Sequence, residues 1–137
     1  MSIKNIDDNT YPVSPTEIIT KEEIVTLVVG PEQINITLNY TQIGNLVSFQ
    51  LSQFSLTNLD MNEFKIQFPS SFPNIIDTVY SETQCNYMYT TWFRALFTLT
   101  GKQGIINRLD NSYVPVLFPS GEITVLSIKG YGYLTAI

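Results

Sequence analysis

Histidine is absent from the chain, and cysteine occurs once, at Cys85. The first absence removes the Ser-His-Asp triad, the Cys-His dyad and any histidine-based metal site. The second removes an intrachain disulfide and a thiolate zinc site, and it fits synthesis in a reducing cytosol. Charge is scarce as well: Asp, Glu, Lys and Arg make up 14% of the 137 residues, with a formal net charge of −5. A duplex nucleic-acid binder needs clustered Lys and Arg to displace phosphate counterions, so nucleic acid is not an expected partner. No apolar run reaches the roughly 20 residues that span a bilayer. The start, Met1-Ser-Ile-Lys-Asn5, lacks the apolar core of a signal peptide. No membrane insertion is expected.

What the chain has instead is apolar alternation and aromatic rings. Hydrophobic residues reach 44% and aromatics 12%, enough for the core of one domain, with Ser, Thr, Asn, Gln and Tyr left to cover the surface. Val47, Phe49 and Leu51 alternate with Ser48, Gln50 and Ser52, the period-two signature of a strand with one buried face. Phe64, Ile66 and Phe68 repeat the device against Lys65 and Gln67, and Pro69 stops the run because it has no N–H to give a ladder. These two runs are expected to pair, joined by a loop over residues 55–62.

Residues 1–15 are polar and carry Asp7, Asp8, Asn9, Pro12 and Pro15, which disfavour a packed element. The expected division is a tail or connector over 1–22 and a folded domain over 23–137. Thr20 and Glu23 have capping-box spacing, but the β-branched run that follows, stopped by Gly30-Pro31, favours a strand over 23–29. Ile34, Ile36, Leu38 and Tyr40 alternate with polar residues before a Gly44-Asn45 turn. Residues 70–74 read as a loop and 75–80 as a short strand.

Residues 85–100 form the longest unbroken β-prone run. Tyr87, Tyr89, Phe93 and Phe97 face one way, and Met88, Trp92, Arg94 and Leu96 the other. Aromatic residues on both faces suggest a second packing partner such as another subunit. Gly101 to Gly104 turns the chain into a further strand, Asp110-Asn111 makes another turn, and residues 113–118 read as a short strand. The segment 122–137 is β-rich with a break at Gly130. Short strands, turn signals throughout and hardly any helical periodicity point to an all-β, antiparallel jelly-roll β-sandwich.

Several of these motifs follow one another in an order that resembles a known group. It runs from Gly44-Asn-Leu-Val-Ser-Phe49 through Phe68-Pro-Ser-Ser-Phe-Pro73 and Gly104-Ile-Ile106 to Phe118-Pro-Ser-Gly-Glu-Ile-Thr124 and Gly132-Tyr-Leu-Thr135. Over about residues 33–137 the chain resembles the head-fibre or receptor-binding domains of phages and other double-stranded DNA viruses, which are similar in build to C1q and tumour-necrosis-factor jelly rolls. The resemblance implies a homotrimer on the virion surface that mediates host attachment, with the N-terminal segment joining a fibre shaft or the virion. No collagen-like or shaft repeat precedes residue 33. The alternative from another class is a minor structural or capsid-cementing virion protein without a receptor of its own.

Catalysis is not expected, and no cofactor or metal is implied. Glycosidase chemistry needs two carboxylates facing across roughly 5 to 10 Å, and Asp60 with Glu63, or Asp77 with Glu82, has the spacing to supply them. Acidic residues in polar loops are ordinarily solvated, however, and Cys85 reads as a small, partly buried side chain. Gly130-Tyr-Gly-Tyr133 has the look of a potassium-filter loop but no membrane span to hold it; a strand bend explains it. The sequons at Asn35 and Asn39 fall within a strand. Binding remains. Aromatic faces stack on the apolar patches of sugars while amides and hydroxyls offer neutral hydrogen bonds. Tyr80, Gln84, Asn86, Tyr87 and Tyr89 form the richest such stretch and are the candidate glycan-binding residues. A subunit interface or core strand is the competing reading of the same stretch.

Overall fold

Alternating residues fix most of the strands, and a computed structural model, which describes residues 17–29, 32–58 and 61–134, shows how they join. Ile18–Val29 (β1) and Glu32–Ile43 (β2) form a long hairpin, and Gly44, at φ 58°, turns the chain into Leu46–Leu51 (β3). Phe54–Asn58 (β4) and Phe64–Gln67 (β5) follow, then the hairpin ladder Val79–Tyr87 (β6), Thr91–Thr100 (β7) and Gln103–Leu109 (β8). Pro115–Val116 (β9), Gly121–Val125 (β10) and Ile128–Tyr133 (β11) complete the order. All paired strands are antiparallel and belong to one sheet, in the order β11-β3-β2-β1-β5-β8-β7-β6-β10-β4, with β9 added to β8.

The sheet curls back on itself. Along the seam β11 packs against β6, and β4 approaches β1 and β2. Backbone and hydroxyl donors from β6 and the β10–β11 joint stitch this seam: Leu126 N–H to the Gln84 carbonyl at 3.0 Å, Thr83 Oγ1 to the Leu126 carbonyl at 3.3 Å, and Ser81 Oγ to the Lys129 carbonyl. Inside the curl lies one aromatic cluster. The ring of Phe49 stands edge-on to Phe68, Phe72 and Phe97 at centroid separations of 5.7, 5.9 and 6.1 Å. Such edge-to-face contacts add to the burial of the rings themselves.

Phe64, Ile66 and Phe68 are buried and Lys65 and Gln67 exposed, as their alternation predicts. Elsewhere the structure corrects the sequence reading. The two organising runs do not pair: β3 lies between β2 and β11, and β5 between β1 and β8. Alternation states which face is buried and nothing about the neighbour. Within the segment expected to be a loop, Phe54 and Leu56 point inward as β4, and the strand ends on a buried amide, Asn58, that periodicity scores as polar. Its Nδ2 donates to the carbonyls of Phe118 and Pro119 and its Oδ1 accepts from Met61 N–H, so the burial leaves nothing unpaired.

Residues 18–22, assigned to the tail, instead extend β1, because Ile18 to Glu22 pair with Ile43 to Asn39 of β2. Both faces of that ribbon stay largely exposed, which removes the alternation a reader would look for. The remainder of the expected tail, residues 1–16, lies outside the described residues, as do Gly30-Pro31. The run 85–100 is broken by a turn at Met88 to Thr90, with Met88 and Tyr89 at φ 52° and 63°. Neither residue type advertises a left-handed conformation. The short strand expected over 75–80 starts only at Val79, that over 113–118 shrinks to β9, and the late break falls at Leu126-Ser127 while β11 passes through Gly130.

Candidate functional site

Two of the concavities on the outer surface of the curled sheet are each built from residues paired across three strands. The first lies on β2, β3 and β11. Asn39, Gln50 and Lys129 are partners in one row, and Thr41, Ser48 and Tyr131 in the next but one. Partners directly opposite on one face stand about 5 Å apart, so the rows make a wall of hydroxyls and amides with one ammonium, that of Lys129, at its β11 edge. The groove over it encloses about 410 Å³, and Tyr131 stands at its margin with 64% of its surface exposed. On the far side of Tyr131 a second depression is lined by Thr78 and Tyr80, and Tyr80 is 69% exposed. Two exposed tyrosines, one on β11 and one on β6, therefore border this depression.

A glycine lets the wall sit so close to the core. A Cβ on Gly130 would fall 2.6 Å from Phe49 Cζ, and one on Gly132 would fall 2.4 Å from Ile75 Cγ2. The motif Gly130-Tyr-Gly-Tyr133 thus alternates glycines that face the core with tyrosines that face out. Beneath the groove the Tyr40 hydroxyl lies 3.0 Å from Glu23 Oε2, which also accepts from Ser71 Oγ. The bonds from Ser71 and then Tyr40 hold the Glu23 carboxyl below its ordinary value, while burial raises that of Tyr40.

The second concavity, of about 380 Å³, lies across β6, β7 and β8. Gln84, Arg94 and Leu109 are partners in one row, and Trp92 is partnered by Asn86 in the next outward row. Arg94 Nε lies 3.0 Å from Glu82 Oε2, and its guanidinium carbon lies 4.7 Å from the Tyr113 ring centroid. Tyr113 is held there by Asp110, whose Oδ1 accepts the N–H groups of Ser112 and Val114 at 2.8 and 3.0 Å.

The structure distributes the five predicted residues rather than gathering them. Gln84 lines the second cleft, Asn86 stands beside Trp92, and Tyr80 belongs to the depression next to Tyr131. Tyr87 is structural: its ring packs on the core and its hydroxyl donates to the Ser120 carbonyl. Tyr89, on the left-handed turn, donates to Glu122 Oε2 at 2.8 Å, and that bond to a carboxylate raises its pKa. Asn39, Gln50 and Tyr131 escape the sequence reading because strand pairing brings them in from three separate segments, and Tyr113 because it sits on the loop after β8. The sequence already puts Trp92 and Arg94 on one face of their run, but neither that this face is outward nor that Glu82 and Tyr113 meet Arg94 there.

Of the carboxylate pairs, Asp60 lies outside the described residues, and Glu82 is engaged by Arg94. Among the described residues no group of three His, Cys, Asp or Glu side chains is placed to hold a metal ion. Cys85 is fully buried, and burial pushes its thiol up to about 12, which keeps it a neutral core side chain.

No protein-family model matches the sequence, and no curated protein matches it. Among solved structures, the attachment protein sigma1 of a reovirus, in a crystal structure with α-2,3-sialyllactose, is similar to 88% of this chain and 67% of that one, at 13% identity and a TM-score of 0.49.

Proposed function

We propose that this domain is a virion-surface attachment head that recognises host glycans, binding them without catalysis. The observation that carries the reading is the wall on β2, β3 and β11, where Asn39, Gln50, Thr41 and Ser48 present neutral hydrogen-bonding groups beside the exposed ring of Tyr131. Sugars need that combination: a ring face for their C–H patches and fixed amides and hydroxyls for their hydroxyls. A strand-borne site also holds its groups more rigidly than loops do. The order of motifs along residues 33–137 supports the same reading, and with it the jelly-roll build of such heads. Self-association as a homotrimer, with residues 1–16 leading to a shaft or virion, belongs to this proposal. The exposed apolar side chains Ile18, Ile24 and Val28 along the outer face of β1 give a second copy something to cover.

Glycan-array binding tests it. The protein should retain neutral glycans, and Tyr131→Ala should weaken their binding by about fivefold to thirtyfold, the loss expected of a stacking residue worth about 1 to 2 kcal/mol. Absence of glycan retention by the assembled protein would overturn the reading and favour a cementing role.

A further inference from the structure

The chain has two arginines, Arg94 and Arg108, and one tryptophan, Trp92, and all three gather at the same cleft, Trp92 and Arg94 on its open face and Arg108 behind its floor. In a chain with a formal charge of −5 that coincidence asks for a reason. Trp92 is 56% exposed at the mouth. Arg94 is fixed on two sides, by Glu82 at its Nε and by the Tyr113 ring against its plane, and has no other hydrogen-bond partner among the described residues. Its terminal N–H groups are therefore available to a ligand. Tyr113 keeps its place at φ 62°, a left-handed conformation that costs a non-glycine residue free energy and is commonest at functional sites.

Formal charge at the cleft balances, Arg94 and Arg108 against Glu82 and Asp110, so the case for an anion rests on which donors are left without a partner. The Asp110 carboxylate is taken up by two backbone N–H groups, and Glu82 is spent on Arg94. Arg108 makes no ion pair among the described residues. It faces the other side of the sheet, opposite Ala95, with its guanidinium over the Phe93 ring at 4.8 Å, one terminal nitrogen donating to the Leu117 carbonyl at 3.2 Å, and a buried Nε that has no hydrogen-bond partner. A cation without an ion pair thus sits behind the cleft floor. We propose that the Trp92–Arg94 cleft binds a carboxylate-bearing sugar. The planar carboxylate meets the Arg94 fork, the ring lies against Trp92, and the Gln84 amide takes a hydroxyl. This ligand class and site go beyond the neutral-sugar wall and do not depend on it.

Because Trp92 is the sole tryptophan, the emission of the intact protein reports this cleft alone. The protein is titrated with glucuronic, galacturonic and N-acetylneuraminic acids, with glucose and galactose as neutral counterparts and glucose 6-sulfate as a non-planar anion, up to concentrations of order 10 mM. At least one carboxylated sugar should shift the emission saturably where the neutral sugars do not. Arg94→Gln should weaken that response at least tenfold, and Arg94→Lys, which keeps the charge but loses the fork, should recover only part of it. Thermal melts of both variants establish that they are folded. No response to any acid, an equal response from Arg94→Gln, full recovery by Arg94→Lys, or a response to the sulfate alone would each overturn the proposal. Retention of neutral glycans by Arg94→Gln on the array separates failure here from failure of the attachment reading.

Discussion

The two concavities share one sheet yet are supported by opposite means. The Tyr131 wall is held from below: Gly130 and Gly132 let β11 close on Phe49 and Ile75, so its shape is set by core packing. The Trp92 cleft is held from the side, by an ion pair, a ring and a five-residue loop closed on Asp110, with all these groups at least partly exposed. Packing transmits a change of one methyl group, whereas exposed charges are screened and forgiving. Core mutations should therefore damage the wall and spare the cleft, and charge mutations should do the reverse.

The largest effect belongs to Phe49→Ala. It removes the ring shared by three edge-to-face contacts directly beneath the wall, at a cost of about 3 to 5 kcal/mol. Denaturant melts at equal protein concentration measure this, since dissociation of any oligomer is linked to unfolding. A cost no larger than that of an exposed residue would show that the wall does not rest on the cluster.

Gly130→Ala comes next. The added methyl meets the Phe49 ring, so either the ring or β11 must move, for about 1 to 3 kcal/mol. Neutral-glycan retention should fall with stability, while the Trp92 emission response to acids stays as in the parent. Loss of both together would mean that the two sites form one cooperative unit.

The smallest effect is that of Glu82→Gln. The pair it breaks is exposed, so stability should change by less than about 1 kcal/mol, and the difference should vanish near 1 M salt, where the Debye length is about 3 Å. Urea melts at low and high salt decide this. A salt-independent loss above that bound would mean that the pair is desolvated, and it would invert the comparison by making the cleft the more rigid site.

Periodicity alone identified the buried faces of β2, β3 and β5, because a strand with one wet face must alternate; for β7 it separated the two faces without saying which is inward. It also placed the Gly44 and Gly101 turns, where glycine relieves a left-handed backbone at φ 58° and 61°. It missed the turn at Met88-Tyr89 and the perch of Tyr113, since those residues adopt the same conformation without a glycine to announce it. It missed β4 because Asn58 satisfies its amide through Phe118, Pro119 and Met61, partners 3 to 61 residues away.

What the sequence by itself determined was an all-β antiparallel chain, its inward rings, its poverty in charge and the aromatic and amide chemistry of its surface. Only the tertiary structure decided that β3 lies beside β11 and β5 beside β8, and so which polar residues share a wall. The physical reason is that alternation is a local property of one strand, fixed by the pleat, whereas a site on a sheet is made by register between strands. Register depends on which edges the whole curled sheet leaves to be paired.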